Sequence, residues 1–437
     1  MRRARFTFMA VTLDQLRAAF PATGLFAEKS FLLSPEPLRL EPSIADEFGK
    51  LGHRLQLFQR AANELYLRSL RGKAPAWVAD YVDRGKPAEL LGFAHQKQFR
   101  EALPQVIRPD LLLSNGGFAI TELDSVPGGI GLTAWLCQTY ADAGFDVMGG
   151  RNGMLGGFRK VLGDRADILV SEESGTYRPE MQWAAEQVNK SGADWRVLHA
   201  EDYKPGSAPS IYRFFEQFDL PNIPSARAIM SAAAAGTARV TPPFKPWLEE
   251  KMWLALFWSR PLREYWRREL SERHFLALQK HIPFSWVLDP TPLPHHAVIP
   301  NLEINDWREL AAFSQKQRDL VLKVSGFSPQ AWGSRGVVVG SDVPQQDWYA
   351  ALNEALDSFG HHPRVLMRFA HTRVIEHPYF DRETGERRIM RGRARICPYY
   401  FVTDGHAELG GALATVVPAD KKIVHGMNDA ILVPVAF

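Results

Sequence analysis

Apolar positions follow a helical period in some stretches of this chain and alternate in others, and the changes mark its parts. Between residues 43 and 100 the period is helical. In LGHRLQLFQRAANELYLRSLRG, Leu55, Leu57, Phe58, Ala61, Leu65, Leu67 and Leu70 recur close to helical spacing, and Gly72 stops the run. A packing helix is the plain reading. VIRPDLLLSNGGFAITELDS then reads as two short strands, 109–113 and 118–123, around the turn Ser114-Asn115-Gly116-Gly117. Asn-Gly between alternating runs is a strong hairpin signal. PGGIGLTAWLCQTYADAG follows as a glycine-rich turn leading into a helix.

From about residue 166 to 244 the order is strand, helix, strand: DILVS, PEMQWAAEQVNKSGA ending at Gly192, then WRVLHAEDY, with SIYRFFEQFDL closing the segment. That order predicts a small parallel sheet of open α/β character. TPPFKP reads as a linker or domain edge. From Trp247 the chain is helical and aromatic, and it runs through HIPFSWVLDPTPLP into the strand DLVLKVSG. The C-terminal part reads as antiparallel strands with turns at 383–385 and 404–405.

A chain of 437 residues holds more than one core, and two or three domains are expected. With 46% hydrophobic and 23% charged residues the composition is ordinary for a globular protein. A net charge of +3 counts against a dedicated nucleic-acid binder. The two cysteines, Cys137 and Cys397, sit in no CxxC spacing, which argues against zinc or a disulfide framework and suits a reducing cytoplasm. The start, MRRARFTFMAVTLDQL, is basic, but Asp14, Gln15 and Arg17 interrupt its apolar run, and either Met1 or Met9 can begin the protein. No charge-free apolar stretch reaches about 18 residues, so no membrane span is expected.

Four constellations carry possible chemistry. On the hairpin, Arg108 and Asp110 share one face, as do Glu122 and Asp124, if the strands begin that early. Three carboxylates converging beside one arginine call for a cation, and oxygen-only ligands select a hard ion such as Mg²⁺. On alternation alone, a solvated hairpin face explains them better. In LVLKVSGFSPQAWGSRGVVVG, Lys323 ends a strand before a loop containing Ser325, Gly326, Gly333, Arg335 and Gly336. A strand-end lysine and close backbone N–H groups can reach phosphate oxygens, but an exposed lysine near a glycine hairpin looks the same. Lys251, in EEKMWLALFW, reads alone as a surface charge on an amphipathic helix. Arg391, Arg393 and Arg395 alternate, so one strand face can carry a guanidinium stripe for phosphate or carboxylate, while Arg387 to Arg395 also suits a solvated basic edge.

Taken together, these segments resemble the ATP-grasp enzymes, and specifically their circularly permuted branch, which includes glutathionylspermidine synthetase. EEKMWLALFW, HIPFSWVLDPTPLP and LVLKVSGFSPQAWGSRGVVV are similar to the family's first parts in the usual order. RPD and TELDSVPGG resemble its last part, the metal strands, moved to the front. The resemblance implies an α+β fold: a permuted ATP-grasp with an inserted small α/β, pre-ATP-grasp-like domain and a helical N-terminal region. Its parts would be residues 1–100 helical, 101–165 metal-binding, 166–244 the small α/β domain, and 245–437 nucleotide-binding. It further implies that Asp110, Glu122 and Asp124 hold Mg²⁺ and that Arg108, with Arg395, steadies the transferring phosphoryl group. Lys251 and Lys323 would contact ATP phosphates, the loop from Gly326 to Gly336 would be a lid, and Met367 and Arg368 would hinge against adenine. Asp124 stands where the family has Asn.

The implied activity is an ADP-forming ligation of a small-molecule or peptide carboxylate to an amine through an acyl phosphate, in the cytoplasm. Two rivals are a catalytically silent nucleotide-binding protein and a nucleic-acid binder that uses the basic hairpin. If the reading holds, Glu122, Lys323 and Lys251 share one cleft, Arg393 and Arg395 line it, and Tyr212 or Arg213 faces its substrate side.

Overall fold

The computed structural model describes residues 10–437 apart from 23, 26–29, 207, 332, 334, 425, 427 and 428. The choice between Met1 and Met9 lies outside the described residues. The N-terminal part contains α1 (Leu13–Ala19), β1 (Leu38–Arg39), α2 (Pro42–Leu70), α3 (Trp77–Asp83) and α4 (Ala88–Ala94). Pro42 opens α2 in its first turn, where a helix has no use for the missing N–H. Phe48, Leu51, Leu55, Phe58 and Leu65 then form its buried stripe.

Next come β2 (Val106–Ile107), β3 (Pro109–Ser114), β4 (Gly117–Leu123), α5 (Ile130–Asp142) and α6 (Gly153–Leu162). The segment after them holds β5 (Arg165–Val170), α7 (Arg178–Asn189), β6 (Asp194–His199), β7 (Ser210–Phe214), α8 (Ala226–Ala234) and β8 (Arg239–Thr241). All its strand pairs are parallel, in the order β6-β5-β7-β8. β8 extends the small parallel sheet that the pattern predicts.

The third stretch contains α9 (Met252–Leu256), α10 (Arg263–His281), β9 (Ser285–Val287), β10 (Leu320–Val324), β11 (Val337–Val339), α11 (Gln345–Asp357) and β12 (Arg364–Arg368). Its strands make an antiparallel sheet, β11-β10-β12-β9. Last are β13 (Val374–Phe380), β14 (Arg387–Thr403), β15 (His406–Pro418) and β16 (Ile431–Ala436). These join the acidic hairpin in one large sheet, β1-β16-β15-β14-β3-β4, with β2 and β13 also on β14. The hairpin and the C-terminal strands are therefore a single layer, although about 270 residues of chain separate them.

The largest core joins this sheet to α2, α5, α9 and α10, and smaller clusters sit under each of the other sheets. Trp348 packs with Leu320, Leu322 and Leu366 in one; Ile211, Phe215 and Ile229 pack in the other. Among the described residues no helix is long and apolar enough to cross a membrane.

Helix α2 lies on β14 at Gly52, where an added Cβ would come within 2.4 Å of the Tyr400 ring. Gly49, one turn earlier, meets nothing within 4 Å. The two glycines should therefore respond in opposite directions. Gly49→Ala should stabilise the protein by up to about 1 kcal/mol through helix propensity. Gly52→Ala should destabilise it by about 1–3 kcal/mol through overpacking against a buried ring. Urea titration of both variants checks this; equal effects would mean that α2 does not approach β14 so closely.

Candidate active site

The β3–β4 hairpin turns through Asn115-Gly116, and its register slips at one place. Asp110 faces Glu122, but Leu111 faces Ile120, leaving Thr121 as an extra residue. Such a bulge frees a backbone group from the ladder. Here the Thr121 carbonyl accepts a hydrogen bond of 3.0 Å from the Lys323 ammonium, which arrives from β10 of another sheet. The bulge thus docks one sheet on the other at the place where the carboxylates lie.

Around that junction is a cavity of about 730 Å³, a size suited to a small-molecule ligand. Arg108, Asp110, Glu122, Asp124, Lys251, Lys323 and Arg395 all line it, as do Gly326, Gly333, Arg335, Gly336, Met367 and Arg368. Ser325 does not; it is fully buried behind the loop. Arg393 does not line it either, because its guanidinium is spent on Thr372 and the Ala419 carbonyl. The expected arginine stripe therefore reduces to Arg395, while Arg391 is exposed and Arg387 and Arg388 pair with Glu36 and Asp381. Tyr212 and Arg213 are also absent from the lining. The Tyr212 hydroxyl donates to the Pro127 carbonyl, and Arg213 is buried against Pro242, Phe215 and Glu249. Their segment contributes Glu216 and Phe218 to the cavity instead.

Lys251 is not on an amphipathic surface. It precedes α9, whose five residues are all buried, and its ammonium lies 2.9 Å from Glu122. Each carboxylate is paired with a cation, two of which, Arg395 and Lys251, come from distant stretches of chain. Arg395 lies 2.9 Å from Asp110, and Arg108 pairs with Asp124 and lies 3.5 Å from Asp110. Burial pushes the Asp110 carboxyl up, but Arg395 and Arg108 outweigh it and hold it below its usual range. Asp124 goes the other way, since burial prevails over Arg108 there and raises it. Burial lowers the Lys323 ammonium, with Glu122 opposing and neighbouring Lys251 adding to the shift. Lys251 is also buried, yet Glu122 keeps it raised.

The donor set is all oxygen and fits a hard divalent ion. Among the described residues, however, no three carboxylate, imidazole or thiol groups stand ready to hold one. The ion pairs explain why: the cations already occupy the carboxylates. A polyanion entering the cavity would draw the lysines and arginines to itself and free the carboxylates for a metal.

Other features of the cavity carried no sequence signal strong enough to find them. Thr415, opposite Arg395 on β15, is fully buried, and its hydroxyl has no hydrogen-bond partner. The Nε groups of Arg108 and Arg395 also lack partners. These are donors without acceptors, at a place where a ligand oxygen can supply one. Glu216 accepts from the Ser125 hydroxyl at 2.7 Å, and burial, then Glu249 and Asp124, push its carboxyl up to about 8. The N-terminus of α5 also reaches the cavity, but buried Glu180 already accepts from the N–H groups of Gly129 and Leu132, at 2.5 and 2.8 Å. Those N–H groups are therefore not free to meet an anion.

Neither a protein-family model nor a curated protein matches the sequence. Among solved structures the chain shares the fold of a glutathione synthetase-like effector from Globodera pallida, in its apo form. The TM-score is 0.55 at 12% identity, over 97% of this chain and 96% of that one. A putative gamma-glutamylcysteine synthetase from Methylobacillus flagellatus KT aligns with a TM-score of 0.42 at 13% identity, over 83% and 87% of the two chains.

Glu216 gives a pH dependence with a definite sign. A carboxyl raised to about 8 in the fold binds a proton that the unfolded chain has lost. Its contribution is complete below the unfolded value, near 4.5, and is lost as pH rises through about 8. Glu216→Gln should remove that loss. The difference in melting temperature, variant minus wild type, should therefore grow from pH 5 to pH 8. A difference that stays flat with pH would mean that Glu216 ionises normally.

Proposed function

We propose that this chain is an ADP-forming carboxylate–amine ligase of the circularly permuted ATP-grasp type, in the branch of glutathionylspermidine synthetase. One observation carries the reading. The carboxylates of the β3–β4 hairpin and the lysines of residues 251 and 323 line the same cavity, beside a glycine-rich loop, although the two sets lie far apart in sequence. A hairpin with a merely solvated polar face would have no need of largely covered lysines brought from a second sheet and from a helix start. The fold shared with the glutathione synthetase-like effector supports the same class.

In this reading Lys251 and Lys323 neutralise the ATP phosphates, and the loop from Gly326 to Gly336 covers them. Gly336 must be small, because a Cβ there would come within 2.7 Å of the Gln330 carbonyl. Met367 and Arg368 border the nucleotide. Asp110, Glu122 and Asp124 would hold Mg²⁺, which when bound spreads the charge of the transferring phosphoryl group. A substrate carboxylate oxygen attacks the γ-phosphorus and ADP leaves, giving an acyl phosphate. Arg108 and Arg395 compensate the negative charge that builds during this step. Thr415 offers its hydroxyl to an oxygen of the acid. The amine then attacks the acyl carbon, the C–O bond to phosphate breaks, and an amide forms. Once ionised, Glu216, whose carboxyl is raised to about 8, can accept the proton that the amine gives up.

Titration calorimetry with Mg²⁺ and ATP tests the nucleotide site, and trapping with hydroxylamine tests the acyl phosphate. Wild-type protein should give binding heat at millimolar nucleotide. With a panel of carboxylic acids it should release ADP and form the matching hydroxamate. Absence of binding heat would falsify the nucleotide reading; binding without ADP release across the panel would favour a silent nucleotide-binding protein.

Two substitutions refine the test. Lys323→Met should weaken ATP binding by tenfold or more, about 1.4 kcal/mol, for the loss of one buried phosphate contact. Glu122→Gln should remove the Mg²⁺ dependence of binding while the far-ultraviolet circular dichroism stays unchanged. Wild-type metal dependence in that variant would exclude Glu122 as a ligand.

A further inference from the structure

The N-terminal helices share no feature with the nucleotide-binding motifs, yet one of their side chains reaches the root of the glycine-rich loop. Lys86 follows α3, and its ammonium forms an ion pair with Glu250 in which the two side chains are 0% and 1% exposed. The other oxygen of Glu250 accepts from the Ser325 hydroxyl. That hydroxyl in turn accepts from the backbone N–H of Met252 at 2.9 Å, and the Ser325 carbonyl accepts from the N–H of Lys251 at 2.8 Å. One buried carboxylate thus ties the first loop residue to the backbone that carries Lys251.

The surroundings leave this arrangement little freedom. A Cβ on Gly326 would come within 2.8–2.9 Å of the Glu249 carbonyl and the Glu250 carboxylate. The Lys86 ammonium lies 5.7 Å from the centre of the Phe327 ring. Farther along the loop, the Lys251 ammonium donates to the Ala331 carbonyl at 3.0 Å. Lys86 itself is fixed from behind. Arg84 stacks 4.3 Å over the Phe359 ring, and Gly85, with a φ of +73°, lies so close to the His361 carbonyl that no side chain fits. The Pro363 carbonyl, two residues farther on, accepts from the Ser325 N–H at 3.0 Å.

A fully buried ion pair adds little net stability over an apolar pair of the same volume, but removing one partner strands the other. Its distinctive effect is directional, because it fixes where a carboxylate points. We propose that Lys86 is a positioning residue for the nucleotide site: through Glu250 and Ser325 it fixes the root of the glycine-rich loop and, with it, Lys251. This rests on the reading of the cavity as a nucleotide site, but the coupling to the loop can be tested without nucleotide.

Limited trypsin digestion of the full chain supplies that test, because Arg335 lies in the loop while Arg151, also exposed, lies far from it in the sequence. In nucleotide-free protein, Lys86→Met should speed cleavage after Arg335 by about tenfold, with the rate at Arg151 unchanged, the mark of local rather than global opening. Affinity for Mg²⁺–ATP should fall by about tenfold in the same variant, for loss of a pre-set geometry. Equal acceleration at both sites, or none at either, overturns the proposal. If Lys86→Met does not fold, the paired variant Lys86→Met/Glu250→Gln removes both charges together and should still show selective cleavage after Arg335; wild-type rates there would overturn the proposal equally. If wild-type protein binds no nucleotide, the ligase reading falls while the digestion still decides whether Lys86 holds the loop.

Discussion

Charges of one sign cannot be brought together away from bulk water unless opposite charges come with them. Asp110, Glu122 and Asp124 lie on one hairpin, and the rest of the site is organised around compensating them. Arg108 comes from the segment just before β3, Arg395 from β14, and Lys251 from the approach to α9. The compensation helps fix how the antiparallel sheet meets the large sheet: the Lys323–Thr121 hydrogen bond crosses that boundary, and the Lys251–Glu122 pair ties the approach to α9 to the same hairpin. It also leaves the cations only partly committed. Arg108 and Arg395 keep a buried Nε without a partner, so the same groups that balance the carboxylates can also meet an incoming anion.

The small parallel sheet acts on this arrangement from a second side. Glu180, on α7, caps the N-terminus of α5 and removes an anion site that glycine-rich turns often provide. Glu216 and Glu249 bring further carboxyl groups close to Asp124, and burial keeps both raised. The cavity therefore holds paired cations and carboxylates at the hairpin, and further carboxyl groups raised by burial beside them.

Much of this was legible in the sequence because it depends on short-range patterns. The Asn115-Gly116 turn marks the hairpin, and alternation puts Asp110 and Glu122 on it. The strand Leu320–Val324 is an apolar run with one lysine, and the strand–helix–strand order of residues 166–244 gives a parallel sheet. The bulge at Thr121 was not legible, since an extra residue in one strand leaves the apolar alternation almost intact. Arg393 and Arg395 look alike in sequence; their different fates depend on Thr372 and Ala419, which only the fold brings near. Thr415 is one threonine in an apolar strand. Lys86 reads as an ordinary surface lysine after a short helix, because its burial depends on a partner 164 residues away.

The distances along the chain also bear on the order in which the site can form during synthesis. Asp110 precedes Arg395 by 285 residues, and Thr121 precedes Lys323 by 202. A ribosome finishes the acidic hairpin long before it makes the strand that neutralises it. Until then the hairpin lacks β14, its main neighbour in the large sheet, and its carboxylates must remain in water. Their mutual repulsion and hydration discourage the exposed edge of β3 from pairing with other nascent chains. The charges that later line the cavity can thus keep an unfinished sheet edge in water, and the site cannot close before β14 has been made.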